Sequence, residues 1–126
     1  MRKTASTLTE QELEIMKIVW DVGPATVRQV YERLLEHREI AYTTVMTMMQ
    51  VLERKGRLLK SLEEKAHVYK PSEPKQKVIG GMVQEFVNRV FNGSAEPLLL
   101  QLVDDDKLSS ADIDKLRKIL KKRSAS

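Results

Sequence analysis

A chain of 126 residues, 41% hydrophobic and 32% charged, can build one modest core or two small ones but not a large enzyme-like domain. It has no cysteine and only two histidines, His37 and His67, which excludes disulfides, thiol nucleophiles and cysteine metal sites. The net charge of +4 permits nucleic-acid binding without establishing it. No apolar run approaches the roughly 20 residues that span a bilayer and the start MRKTASTLTE has no secretory character, so a cytoplasmic protein with no membrane insertion is expected.

Thr9-Glu10-Gln11-Glu12 reads as a capping box opening a first helix to about Val22, with Leu13, Met16, Val19 and Trp20 on its core face and Gly23-Pro24 as its stop. Thr26 with Gln29 opens a second helix whose Val27, Val30, Tyr31 and Leu34 form a stripe before the polar turn His37-Arg38-Glu39. A third helix is predicted from about Tyr42 to Lys55, ended by Gly56. Its core positions are Val45, Met48, Met49 and Leu52. The opposite face presents Thr43, Thr47, Gln50 and Arg54, flanked by Thr44, Met46 and Val51. Hydroxyls and an amide can reach base edges in a DNA major groove, and Thr and Met methyls can touch thymine methyls. Such a face suits a helix lying in a major groove; an ordinary solvated surface is the alternative reading.

After Gly56, Leu58-Leu59-Lys60-Ser61 and Ala66-His67-Val68-Tyr69-Lys70 flank a polar turn around Leu62-Glu63-Glu64-Lys65 and read as a β-hairpin. Three helices followed by a hairpin is the winged helix-turn-helix order. The charge is distributed to match. Met1 to Glu39 carries six basic and seven acidic residues, whereas Ile40 to Ser72 carries six basic and three acidic. Arg54, Arg57, Lys60, Lys65 and Lys70 are candidate phosphate contacts, opposed at the wing tip by Glu63 and Glu64.

The rest of the chain reads as helical. A helix from about Lys75 to Phe91 carries Ile79, Met82, Phe86 and Val90 and breaks at Asn92-Gly93-Ser94. An apolar segment containing Leu99 and Leu102 follows Pro97, and Ser109 with Asp112 caps a last helix bearing Ile113, Leu116 and Leu120. About fifty residues rarely support a core of their own, so these apolar faces are expected to pair two subunits, the alternative being that they fold back on the winged helix. The fold class is thus mainly α with a small β-hairpin wing. Residues 1–72 would form a winged-helix DNA-binding domain and residues 73–126 a helical dimerisation domain. Glu12 and Glu14 read as an ordinary solvated pair, Asp104-Asp105-Asp106 as a helix end, and the two histidines as turn and strand residues. No metal, cofactor or enzymatic activity is expected.

LTEQELEIMKIVW (Leu8 to Trp20), Thr26-Val27-Arg28-Gln29-Val30, AYTTVMTMMQVLERKG (Ala41 to Gly56) and HVYKP (His67 to Pro71) together resemble the penicillinase-repressor (BlaI/MecI) family. The resemblance covers nearly the whole chain. It implies a homodimer that binds a dyad-symmetric, TACA/TGTA-like operator in double-stranded DNA and blocks transcription, with the third helix reading bases, by position through Thr43, Thr44, Met46, Thr47 and Gln50. In the best-known members a membrane-embedded sensor protease leads to cleavage of the repressor at an Asn-Phe bond; the position is occupied here by Gln101-Leu102, which departs from that pattern. Staphylococcal members carry Lys and Arg where this chain has Thr43, Met46 and Val51, which implies a different operator preference. The competing reading is a winged-helix protein–protein interaction module without specific DNA binding.

Overall fold

The computed structural model describes residues 8–125, so the reading of the chain start lies largely outside the described residues. In chain order the elements are α1 (Glu10–Val22), α2 (Val27–Leu35), α3 (Tyr42–Arg54), β1 (Leu58–Glu63), β2 (Ala66–Pro71), α4 (Lys75–Phe91), α5 (Glu96–Asp104) and α6 (Ser110–Ser124). No described helix is long and apolar enough to cross a membrane.

All three predicted capping boxes form. The Glu12 N–H donates to Thr9 Oγ1 at 3.1 Å and the Thr9 N–H to Glu12 Oε1 at 3.0 Å. Thr26 with Gln29, and Ser109 with Asp112, repeat the pattern. Each box satisfies two backbone donors that a helix start otherwise leaves open. Gly23 ends α1 at φ 82, a left-handed conformation that glycine adopts without steric cost, and its N–H closes on Val19 O at 2.9 Å.

The core of the winged helix is built from the inner faces of α1, α2 and α3. Ile15, Met16, Val19, Val30, Leu34, Val45, Met49 and Leu52 are all at 1% exposure or less, and Leu58 and Tyr69 seal it from the hairpin side. A fully buried side chain of this kind stabilises by roughly 1.5–3 kcal/mol. The phase of α1 differs from the sequence expectation. Its buried face is Glu12, Ile15, Met16 and Val19, while Leu13 and Trp20 sit half-buried at the margin, the Trp20 indole N–H reaching Glu73 O at 3.3 Å. Met48 is likewise half-buried against the core.

β1 and β2 pair antiparallel, with Leu58 opposite Pro71, Lys60 opposite Tyr69 and Leu62 opposite His67. The turn is tighter than the sequence predicts: only Glu64 and Lys65 lie outside the strands, at φ 48 and 70. Two consecutive positive φ angles are the mark of a type I′ turn, whose twist matches that of the strands it joins. The segment before α2 adds an isolated β-bridge to the hairpin. Ala25 exchanges both backbone hydrogen bonds with Tyr69, at 2.8 and 2.9 Å, which ties the hairpin to the start of α2.

Glu12 and Glu14 are not a solvated pair. Glu12 is buried and its Oε2 accepts from Lys55 Nζ at 2.7 Å, while Glu14 receives the Arg38 guanidinium at 2.8 Å. These ion pairs tie α1 to the end of α3 and to the turn after α2.

The chain divides into two compact units within α4, the first reaching to Met82 and the second beginning at Val83. In the first unit Val78 is buried in the winged-helix core and Met82 packs against it. In the second, Phe86 and Phe91 make an edge-to-face contact at 5.8 Å, yet neither α5 nor α6 contains a buried residue.

Candidate nucleic-acid interface

The two faces of α3 differ in kind. Val45, Met49 and Leu52 are fully buried, whereas Thr43, Thr44, Thr47, Gln50 and Arg54 are exposed and Met46 is half-buried. The expected base readers therefore share one outward face of a helix held rigidly from behind. Its approach angle is fixed at the N-terminal end, where the Tyr42 ring meets Tyr31 of α2 edge to face at 5.4 Å and 81°.

Beside this face lies a cleft of about 550 Å³ bounded by α2, α3 and the hairpin. Met46 and Gln50 form one wall, Lys60 and His67 another and Arg28 a third. Arg28 stands 5.9 Å from the centre of the Tyr42 ring and 3.5 Å from Glu32 Oε2. Lys60 Nζ lies 3.8 Å from Glu53 Oε1. Tyr69, on the cleft floor, has its hydroxyl pKa pushed up by burial and further by the negative charge of Glu53, so the phenol stays protonated.

The expected phosphate contacts do not behave alike. Arg54, Lys65 and Lys70 are exposed and enter no ion pair among the described residues. Lys60 borders the cleft with its charge shared with Glu53. Arg57 corrects the expectation. It is 5% exposed, its guanidinium lies 4.0 Å from Glu73, and its carbonyl accepts from the Ser72 N–H at 3.0 Å, so it closes the base of the hairpin instead of facing a ligand. Sequence reasoning missed Arg28 and His67. The signal for Arg28 was its place in the first turn of the second helix, two residues after the Thr26 cap; nothing in the local sequence placed His67 on the same cleft as Gln50.

Of the residues expected to join two subunits, Ile79 and Met82 are half-buried in the first unit. In the second, Phe86, Val90, Leu99, Leu116 and Leu120 are exposed, and Leu102 and Ile113 are half-buried. Gln101 and Leu102 lie inside α5, where the Gln101 amide donates to Asp105 at 3.2 Å. A protease needs extended backbone, so cutting there requires α5 to unwind first.

Three helices with a tightly turned two-stranded wing and a polar outward third helix define a winged helix-turn-helix protein. The family model described as penicillinase repressor matches residues 8–122, and the chain belongs to the penicillinase repressor family. It is 34% identical to the transcriptional regulator BlaI of Mycobacterium tuberculosis over 90% of this chain and 82% of that protein. It is 29% identical to the penicillinase repressor of Bacillus licheniformis over 94% and 92%. Among solved structures, monomeric Bacillus licheniformis BlaI in complex with the blaP half-operator matches with TM-score 0.51 and 28% identity, over 60% of this chain and 92% of that one. A MarR-like regulator of Thermotoga maritima matches with TM-score 0.51 over 95% of this chain and 77% of that chain; at 16% identity it shows the fold alone.

Proposed function

We propose that the protein is a homodimeric transcriptional repressor that acts in the cytoplasm, placing α3 of each subunit in the major groove of a dyad-symmetric operator and blocking transcription by occupying it. The observation that carries this reading is the division of α3 into a fully buried Val45-Met49-Leu52 face and an exposed Thr43-Thr44-Thr47-Gln50 face. A helix presented in this way can read base edges, and Arg54, Lys65 and Lys70 add sequence-independent attraction to the backbone. The half-operator complex of the Bacillus licheniformis relative supports it.

Dimerisation is supported by the second unit. Helices whose Leu99, Leu100, Leu116 and Leu120 are at least 40% exposed gain stability by covering these faces with a second copy. Two linked half-site contacts then hold the operator more tightly than either alone. Cleavage between Gln101 and Leu102 by a membrane-embedded sensor protease would cut the pairing unit and release DNA. Footprinting of the purified protein on the promoter of its own gene tests the reading. Two protected half-sites about one helical turn apart are expected; uniform cleavage across every dyad in that region would overturn it.

A further inference from the structure

The cleft between α2, α3 and the hairpin shares Met46 and Gln50 with the outward face of α3. A helix with its side chains is about 10–12 Å across and the major groove about 12 Å wide, so a helix in the groove has a sugar-phosphate strand against each flank. A strand on the flank that bears Met46 and Gln50 would lie against this cleft. Its fixed cations are each matched by a carboxylate, Arg28 by Glu32 at 3.5 Å and Lys60 by Glu53 at 3.8 Å. The rings of Tyr42 and Tyr69 complete the surroundings.

His67 is the exception. The strand register sets it on the same face as Tyr69, one step nearer the wing tip and opposite Leu62, where it is exposed and enters no ion pair among the described residues. Its protonation therefore adds a positive charge to a cleft whose other charges are balanced. Histidine is the side chain that changes charge between about pH 5 and pH 8.

We propose that His67, with Arg28 and Lys60 beside it, seats a DNA phosphate in this cleft, so that imidazole protonation adds a backbone contact and DNA affinity rises as pH falls. The proposal rests on the DNA-binding reading above and adds to it a proton-linked contact at a named residue. The contact carries no base information, so a labelled random-sequence duplex is a sufficient probe.

The full chain is titrated with this duplex by fluorescence anisotropy across a salt series at about pH 5.5 and about pH 8, either side of ordinary histidine titration. Each phosphate neutralised steepens the dependence of log Kd on log salt by about 0.9. The expected result is a slope steeper by about that amount per subunit at the lower pH. The difference should vanish in His67→Gln and persist in His37→Gln, the other histidine lying in a separate groove beside Arg38. A thermal melt of His67→Gln checks that the exposed substitution leaves the fold intact. A slope independent of pH in the wild type, or a pH effect that survives His67→Gln, overturns the proposal. Absence of salt-dependent binding at both pH values overturns the repressor reading itself.

Discussion

Lys55 Nζ stands 2.7 Å from Glu12 Oε2, joining the residue that ends α3 to the first turn of α1 across 43 positions of sequence. The other oxygen of the same carboxylate accepts from the Thr9 N–H, so one buried side chain both caps α1 and anchors the end of α3.

Removing one partner of this pair is expected to cost more than removing both. Lys55→Met leaves the Glu12 carboxylate buried with only its cap donor, at a cost of about 1.5–3 kcal/mol. Glu12→Gln added to Lys55→Met should recover part of that loss, because Gln still serves in a capping box. Urea unfolding of the two single variants and the double variant at one protein concentration gives the coupling. Strict additivity would show that the contact contributes nothing.

The same carboxylate links stability to pH. Burial pushes the Glu12 pKa up, but the hydrogen bonds from Lys55 and the Thr9 N–H outweigh it and hold the group below its ordinary value. A depressed folded-state pKa contributes stability that is complete above the unfolded value, about 4.3, and lost as pH falls through the folded value. Unfolding midpoints measured downward from about pH 5 should therefore fall less steeply in Glu12→Gln than in the wild type. The loss should not vanish, since Asp112, lowered by the Ser109 N–H, and Glu73, lowered by Lys77, act in the same direction.

The wing turn holds two residues where their side chains are unfavourable. Glu64 and Lys65 both have positive φ, a region that costs an ordinary residue about 1–2 kcal/mol relative to glycine. Lys65→Gly should raise stability by about 1 kcal/mol in the same unfolding assay and, because Lys65 is an exposed cation, make DNA binding less salt-dependent. A destabilised variant would mean that the turn has another geometry.

On α3, Thr44→Ala and Thr47→Ala remove exposed hydroxyls and should leave the melting temperature nearly unchanged. Each is expected to weaken the footprinted operator by about 1–3 kcal/mol and to relax preference at one base pair, read from anisotropy against single-base variants. An undiminished preference in both would remove these two residues from base recognition.

The elements were legible in the sequence because local signals and packing agree: Thr9, Thr26 and Ser109 announce their helices, and the 3.6-residue period of Val45, Met49 and Leu52 announces the buried side of α3. What was not legible depends on residues distant in sequence. The period of α1 admits both Leu13 and Ile15 as core, and contact with α2 and α3 selects Ile15. Arg57 looks like any cation of a basic segment until Glu73 is brought beside it. Glu64-Lys65 carries none of the Asn or Gly that usually signals a type I′ turn, and it is the strand pairing on both sides that imposes it.

The second unit gives the most direct test of assembly. Leu116 and Leu120 are 40% and 62% exposed in the isolated chain, so an aspartate at either position costs the lone subunit little. If a second copy covers this face, the same aspartate must be buried unpaired, which a dimer does not tolerate. Leu116→Asp and Leu120→Asp are therefore expected to shift sedimentation from dimer to monomer while the winged helix keeps its melting transition. Affinity for the full operator should fall by about 10²–10⁴, the gain that linking two half-site contacts provides, with binding to an isolated half-site unchanged. Dimers that persist in both variants would place the subunit contact on another surface, because a covered apolar helix face cannot accept a charge at either of two positions one turn apart.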